Sequence, residues 1–268
     1  MLDLKWIREH PEETRAALAR RGEEALPSID ELLRLDEERR RLLATVEEKK
    51  AYRNRVSQEI GRARQAGEDV ADRMQAMREL GETIRALDEQ VKAVEAQIEE
   101  RLLQIPNLPH ESIPTGPDET ANQEIRRWGE PPRFAFEPKP HWELGPRLGI
   151  LDFERAAKIT GARFALYWGA GARLERALIS FMLDLHTQEH GYTEVFPPFL
   201  VNRAAMIGTG QLPKFEEDMF KCEGTDYYLI PTAEVPVTNL HAGEILAADQ
   251  LPLRYTAYTA CFRAEAGS

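Results

Sequence analysis

Cysteine is scarce in this sequence. Two occur in 268 residues, Cys222 and Cys261, too few for a disulfide framework, and neither stands in a CxxC or Cys/His spacing that would hold zinc. Both read as reduced core thiols, the usual situation of a free cysteine. Long apolar runs are also missing. The opening Met1-Leu2-Asp3-Leu4-Lys5-Trp6-Ile7-Arg8 interrupts its apolar residues with charges of both signs, unlike a signal peptide. Nothing later approaches the ~20 apolar residues of a membrane helix, so a soluble, unexported protein with no membrane partner is expected. There is no Walker loop, no Rossmann glycine set and no nucleophile elbow, which removes the commonest generic motifs for phosphate and acyl chemistry. Positive charge is in deficit, with 35 Lys plus Arg against 46 Asp plus Glu and a balance of −11. Any nucleic-acid contact must therefore come from a local patch.

Proline is absent from Ser28 to Ile105, and there the apolar residues recur at helical spacing. Met77, Leu80, Ile84, Leu87, Val91, Val94 and Ile98 step by alternating threes and fours, a coiled-coil seam. Leu32, Leu35, Leu42, Val46, Val56 and Ile60 follow the same scheme, interrupted by Arg39, Lys49 and Arg53. Ser28-Ile29-Asp30-Glu31 has the capping-box arrangement, Pro27 precedes it, and Pro106 closes the second helix. Gly61 and Gly67 bracket a turn, after which Asp69 can cap the returning helix. Two antiparallel helices of about 36 residues make an arm of roughly 55 Å, longer than a globular core needs.

The sign of the charge changes toward the end of this arm. Between Lys49 and Arg64 stand Lys49, Lys50, Arg53, Arg55, Arg62 and Arg64 against Glu59 alone. Such a patch suits the phosphates of a folded RNA. A solvated coiled-coil surface explains it equally well.

After Pro106 the texture changes to a connector bearing proline and glycine, and then to mixed helix and strand signals. Domains of 1–105 and 106–268 are expected. The 42% hydrophobic content supports more than one core. Gly171 to His190 reads as an amphipathic helix with Leu174, Leu178, Phe181 and Leu185 on its core face and Gly191 as its stop. Short β-branched and aromatic segments around Val195, Tyr227 to Ile230, and Tyr255 to Tyr258 suggest an antiparallel sheet. The class is α+β, with a long helical hairpin followed by an antiparallel-sheet domain.

Several longer strings occur in order: Met1 to Lys5 with Ile7-Arg8, the arm, Gly208-Thr209-Gly210-Gln211-Leu212-Pro213-Lys214-Phe215, Ile230-Pro231-Thr232-Ala233-Glu234-Val235-Pro236, and Cys261-Phe262-Arg263-Ala264-Glu265-Ala266-Gly267-Ser268. Together they resemble the bacterial seryl-tRNA synthetases, a class II aminoacyl-tRNA synthetase family, from one end of the chain to the other. The resemblance implies a homodimeric cytoplasmic ligase that activates serine with ATP, using magnesium, and transfers it to tRNA(Ser). No magnesium ligand is assignable from these residues.

Residue by residue, the resemblance makes Gly191 to Pro198 the first class II signature, with Pro198 at the dimer interface. Taken alone, the proline pair marks a strand end. Thr232, Ala233 and Glu234 match the loop that reads serine, where a carboxylate can pair with an ammonium and a hydroxyl can bond polar atoms. Taken alone, they are a turn capping a helix near Val235. Phe262-Arg263-Ala264-Glu265 matches the second signature. Arg263 is implied as the catalytic group, a planar and permanently charged clamp for phosphate oxygens, with Ala264 and Glu265 on the ATP side. The family usually has Ser at the position of Ala264, so this chain has one hydroxyl fewer beside ATP. In isolation an Arg-x-Glu is a surface ion pair. The resemblance also implies that Arg53, Arg55, Arg62 and Arg64 bind tRNA. The third class II signature is not in the sequence, so a longer protein is expected and this chain alone is expected to be inactive. A natural end at Ser268 would favour a non-catalytic tRNA-binding module instead.

Overall fold

The computed structural model describes residues 2–22 and 26–264, and the chain divides into two compact units, Met1–Arg127 and Trp128–Ser268.

The first unit begins with two short helices, α1 (Leu4–Glu9) and α2 (Pro11–Ala19). The Asp3 carboxylate accepts from the Lys5 amide at 2.8 Å and starts α1, and Pro11 starts α2 where its missing N–H costs nothing. The hairpin follows as α3 (Leu26–Gln65) and α4 (Ala71–Gln104). Their 40 and 34 residues correspond to about 60 and 50 Å at ~1.5 Å per residue. The helix starts earlier than the capping-box pattern suggests, at Leu26, so Pro27 and Ser28 lie inside its first turn. Glu31 instead pairs with Arg101 of α4, Nε to Oε2 at 3.0 Å. At the far end α3 runs through Gly61, and Gly67 (φ +79°) closes it with the Glu68 amide donating to the Ala63 carbonyl at 3.0 Å. Asp69 accepts from the Ala71 amide at 3.0 Å, in its expected capping place.

The seam is as the periodicity predicts. Leu32, Leu35, Val46, Ile84, Val91, Val94 and Ile98 are buried, while Val56, Ile60, Met77 and Leu80 toward the tip are half-buried. The tightest packing is at the root, where Ile7 and Leu18 join Ile29, Leu32, Leu35, Val94, Ile98, Leu102 and Ile105. Each of these side chains contributes roughly 1.5–3 kcal/mol by leaving water. Asp36 is also buried there, accepting from Arg8 of α1 and from Arg39 and Arg40 of its own helix, each at 3.1 Å. Arg20 and Arg21, past the end of α2, hold the connector by donating to the carbonyls of Ile113 and Asn107.

The second unit carries α5 (His141–Arg147), α6 (Phe153–Thr160) and α7 (Ala170–Asp184), the last continued by a wider turn over Leu185–Glu189. Gly191 (φ +69°) ends it as expected. The apolar face of α7 differs from its expected place in a core. Leu174 and Phe181 are 55% and 62% exposed. Periodicity specifies which face is apolar, not which layer covers it.

Among the described residues four short strands follow: β1 (Thr193–Glu194), β2 (Leu200–Asn202), β3 (Tyr227–Leu229) and β4 (Tyr255–Thr256). Antiparallel pairing joins β2 to β3, with Val201 opposite Tyr228. The β1–β4 pair is parallel, which the long connection between them permits. Between β2 and β3 lies α8 (Arg203–Gly208), capped by the Asn202 side chain on the Ala205 amide at 2.9 Å, and after β3 comes α9 (Glu234–Thr238). Val201, Met206, Leu212, Tyr228, Ile230 and Val235 are the core here. Both cysteines are free, but Cys222 is half-buried and Cys261 exposed rather than in a core. Phe262 donates its amide to the Ile230 carbonyl at 2.9 Å and is half-buried, and the residues on either side of it are exposed.

Candidate functional site

Ile230 continues β3 and is bonded on both sides. Its amide donates to Phe199 and its carbonyl accepts from Phe262, both at 2.9 Å. That pairing brings the segment Pro231-Thr232 beside Arg263, two parts of the sequence more than thirty residues apart. Arg263 Nε donates to the Pro231 carbonyl at 3.0 Å. The two line one cleft of about 240 Å³ together with Gln211, Phe215, Asp218 and Met219.

Thr232 also stands directly before Ala233, the N-cap of α9. Its hydroxyl oxygen accepts from the Glu234 amide at 3.4 Å and its carbonyl from the Val235 amide at 3.3 Å, so the helix-capping reading of this turn describes its local geometry. The threonine proton remains a donor. Ala233 is half-buried and Glu234 exposed, and neither lines the cleft. Ala264 is exposed, and Glu265 lies outside the described residues.

The opposite wall was not legible as a site in the sequence. Gln211, Phe215, Asp218 and Met219 follow α8, and the string Gly208 to Phe215 was the signal that could have led to them. Its glycines have physical reasons. A Cβ at Gly208 would stand 2.6 Å from Asn239 Oδ1, and Gly210 has φ +73° where the chain leaves the helix. Asn239 in turn donates to the carbonyls of Ala205 and Val235, at 3.0 and 2.8 Å, and so ties α8 to α9. Behind the wall, Glu216 accepts from Arg203 Nη1 at 3.1 Å and from the Tyr228 hydroxyl at 3.0 Å. The Arg203 and Tyr228 hydrogen bonds hold the Glu216 carboxyl below its ordinary pKa, and the Arg203 guanidinium is raised chiefly by its hydrogen bond to Glu216.

Two family descriptions match the sequence. Residues 1–109 match the Seryl-tRNA synthetase N-terminal domain, and residues 215–268 match the tRNA synthetase class II core domain (G, H, P, S and T). Along its whole length the chain is similar to seryl-tRNA synthetases. Over all 268 residues it is 59% identical to the serine–tRNA ligase of Carboxydothermus hydrogenoformans and 60% identical to that of Geobacillus kaustophilus. It spans 63% of the length of each. Among solved structures, the seryl-tRNA synthetase of Pyrococcus horikoshii complexed with ATP superposes with a TM-score of 0.85 at 38% identity, covering the whole chain and 64% of that structure.

The arm carries the other candidate residues of this chain. Arg55, Arg62 and Arg64 are exposed and Arg53 is half-buried. Arg55 lies 5.4 Å from the Tyr52 ring centroid, a cation–π contact that steadies its head group. Arg62 and Arg64 occupy the last turn of α3, where they also complement the helix dipole. The antiparallel partner moderates the patch. From Lys49 to Asp88 the distal arm holds nine basic and seven acidic side chains, and Lys50 pairs with Asp88 at 2.9 Å. Pro198 is exposed, directly after the buried Pro197.

Proposed function

We propose that this chain belongs to a serine–tRNA ligase, with the arm (1–105) holding tRNA(Ser) and residues 106–268 forming the front part of the catalytic domain. The observation that carries the reading is the hydrogen bond that joins Arg263 to Pro231 at 3.0 Å, since it puts the implied phosphate clamp and the implied serine loop in one cleft. In the proposed reaction a serine carboxylate oxygen attacks the α-phosphorus of ATP, the bond to the bridging oxygen breaks, and pyrophosphate leaves. Negative charge builds on the α-phosphate oxygens, and Arg263 offsets it. Thr232 and its loop through Ala233 and Glu234 read the amino acid, while Ala264 and Glu265 stand on the ATP side. The tRNA terminal hydroxyl then attacks the seryl carbonyl, and AMP departs.

Magnesium accompanies ATP in this proposal. Among the described residues, no three His, Cys, Asp or Glu side chains gather into a metal-binding group, and Asp218 is the carboxylate among the residues lining the cleft. The described side chains do not fit a protein-held ion, and no step is derived through one. We further propose a cytoplasmic homodimer with Pro198 at its interface. No helix among the described residues is long and apolar enough to cross a membrane.

The test is ATP–pyrophosphate exchange by the full-length gene product. Serine-dependent exchange is expected, and exchange with alanine or threonine but not with serine would sink the assignment.

A further inference from the structure

The wall of the cleft that faces Pro231 and Thr232 is a loop with little regular structure of its own. It runs from Gln211 to Met219 and includes a single 3-10 turn, Glu216–Asp218. Leu212 anchors one end in the core and the Phe215 amide donates to the Gln211 carbonyl at 2.9 Å. The turn that presents Asp218 is tied down by Glu216, which points away from the cleft lining and into a closed ring of hydrogen bonds. Arg203 Nη1 donates to Glu216 Oε1 at 3.1 Å and to the Tyr228 hydroxyl oxygen at 2.9 Å, and the Tyr228 hydroxyl donates to the same Glu216 oxygen at 3.0 Å. Tyr228 is fully buried in β3, the strand that leads directly into Pro231 and Thr232. Arg203 is the first residue of α8, which begins where β2 ends.

Both walls of the cleft are therefore referred to one buried phenol. We propose that Glu216 is a positioning residue for the amino-acid site: it touches no substrate, and it sets the separation between the Phe215 to Met219 wall and the Pro231-Thr232 wall. Through that separation it governs serine affinity and the exclusion of larger amino acids such as threonine. This rests on the reading of the cleft as the serine-activating site. Removing the carboxylate leaves the buried Tyr228 hydroxyl without its acceptor, and the loop must shift or admit water to satisfy it. A shift of the wall weakens binding of the small substrate that the wall encloses.

The kinetic split separates this role from a merely structural one. An enzyme that is only less stable has fewer active molecules, so kcat falls while KM holds; a displaced wall raises KM. In the full-length enzyme, E216A is expected to raise the serine KM about tenfold, comparable to losing one charge-assisted hydrogen bond, while the ATP KM changes far less. The ratio of threonine to serine exchange should rise with it. E216Q keeps an acceptor oxygen for both donors and should recover most of the loss, and Y228F, which removes only the hydroxyl, should move serine KM in the same direction as E216A. Unmoved serine KM in both E216A and Y228F, with wild-type exchange intact, overturns the positioning role alone. Wild-type protein without serine-dependent exchange overturns the reading of the cleft, and the positioning role with it.

Discussion

Arg263 donates through Nε to the carbonyl of Pro231 at 3.0 Å, so the guanidinium is oriented by the backbone of the loop that leads into Thr232. Lysine cannot reproduce this, because an ammonium lacks the fixed fork that lets the Nε edge bind a carbonyl while the remaining in-plane N–H donors bind phosphate oxygens. In the full-length enzyme, Arg263→Lys and Arg263→Ala are both expected to lower the rate of serine activation by about 10²–10³, the scale of losing one preorganised oxyanion donor. Affinity for tRNA, measured by filter binding, should be nearly unchanged. Equal activation rates in mutant and wild type would refute the assigned role.

The arm is expected to behave in the opposite way. Arg55, Arg62 and Arg64 are exposed and Arg53 is half-buried, and removing a side chain that neutralises one phosphate reduces the slope of log K against log salt by roughly 0.7–0.9. Replacing all four by Ala should weaken tRNA binding strongly at low salt, flatten its salt dependence, and leave serine-dependent pyrophosphate exchange intact. Unchanged tRNA binding would mean that the basic run is a solvated helix surface, a view that the seven acidic residues among the nine basic ones between Lys49 and Asp88 keep in play.

At the root of the arm, Asp36 accepts from Arg8, Arg39 and Arg40 with its carboxylate fully buried. Asp36→Ala leaves three guanidinium groups that are only partly exposed without their shared acceptor, and unties α1 from α3. A loss of about 2–3 kcal/mol is expected, at the low end for a broken buried pair because the arginines can turn toward water. Urea unfolding followed by far-UV circular dichroism would measure it, and a change under about 0.5 kcal/mol would show that the root is held by Ile7, Leu18 and their apolar neighbours alone.

How much of this was written in the sequence depends on whether an interaction is local. The hairpin was legible because a period of three and four over dozens of residues has one physical meaning, and its seam is buried toward the root and half-buried toward the tip. The start of α3 was misplaced by a turn, because Ser28 and Glu31 have capping chemistry but Glu31 meets Arg101, seventy residues away. Burial of the α7 face could not be read from its period, since Leu174 and Phe181 are apolar and exposed. The candidate site was half legible. Thr232 and Arg263 stood out through family strings, and the structure places them in one cleft. Gln211 stood in such a string without an assigned role and Asp218 in none, because a loop that supplies a wall carries no periodicity, and its anchor at Glu216 depends on Arg203 and Tyr228, both distant in sequence.

The same anchor makes a prediction about acid. Arg203 and then Tyr228 hydrogen-bond the ionised Glu216 and lower its pKa, with the charge of Lys221 adding to them. A carboxyl whose folded pKa lies below its unfolded value, about 4.3 for Glu, binds fewer protons folded than unfolded. Its stabilising contribution is therefore fully present above that unfolded value and is lost as the pH falls through the folded one. The glutamine of E216Q does not titrate. Between pH 6 and pH 3 the urea midpoint of the wild-type protein should consequently fall further than that of E216Q, and the two curves should converge toward the acid end. Curves that stay parallel over the whole range would mean that Glu216 titrates alike in the folded and unfolded chain, and that its bonds to Arg203 and Tyr228 do not hold in solution.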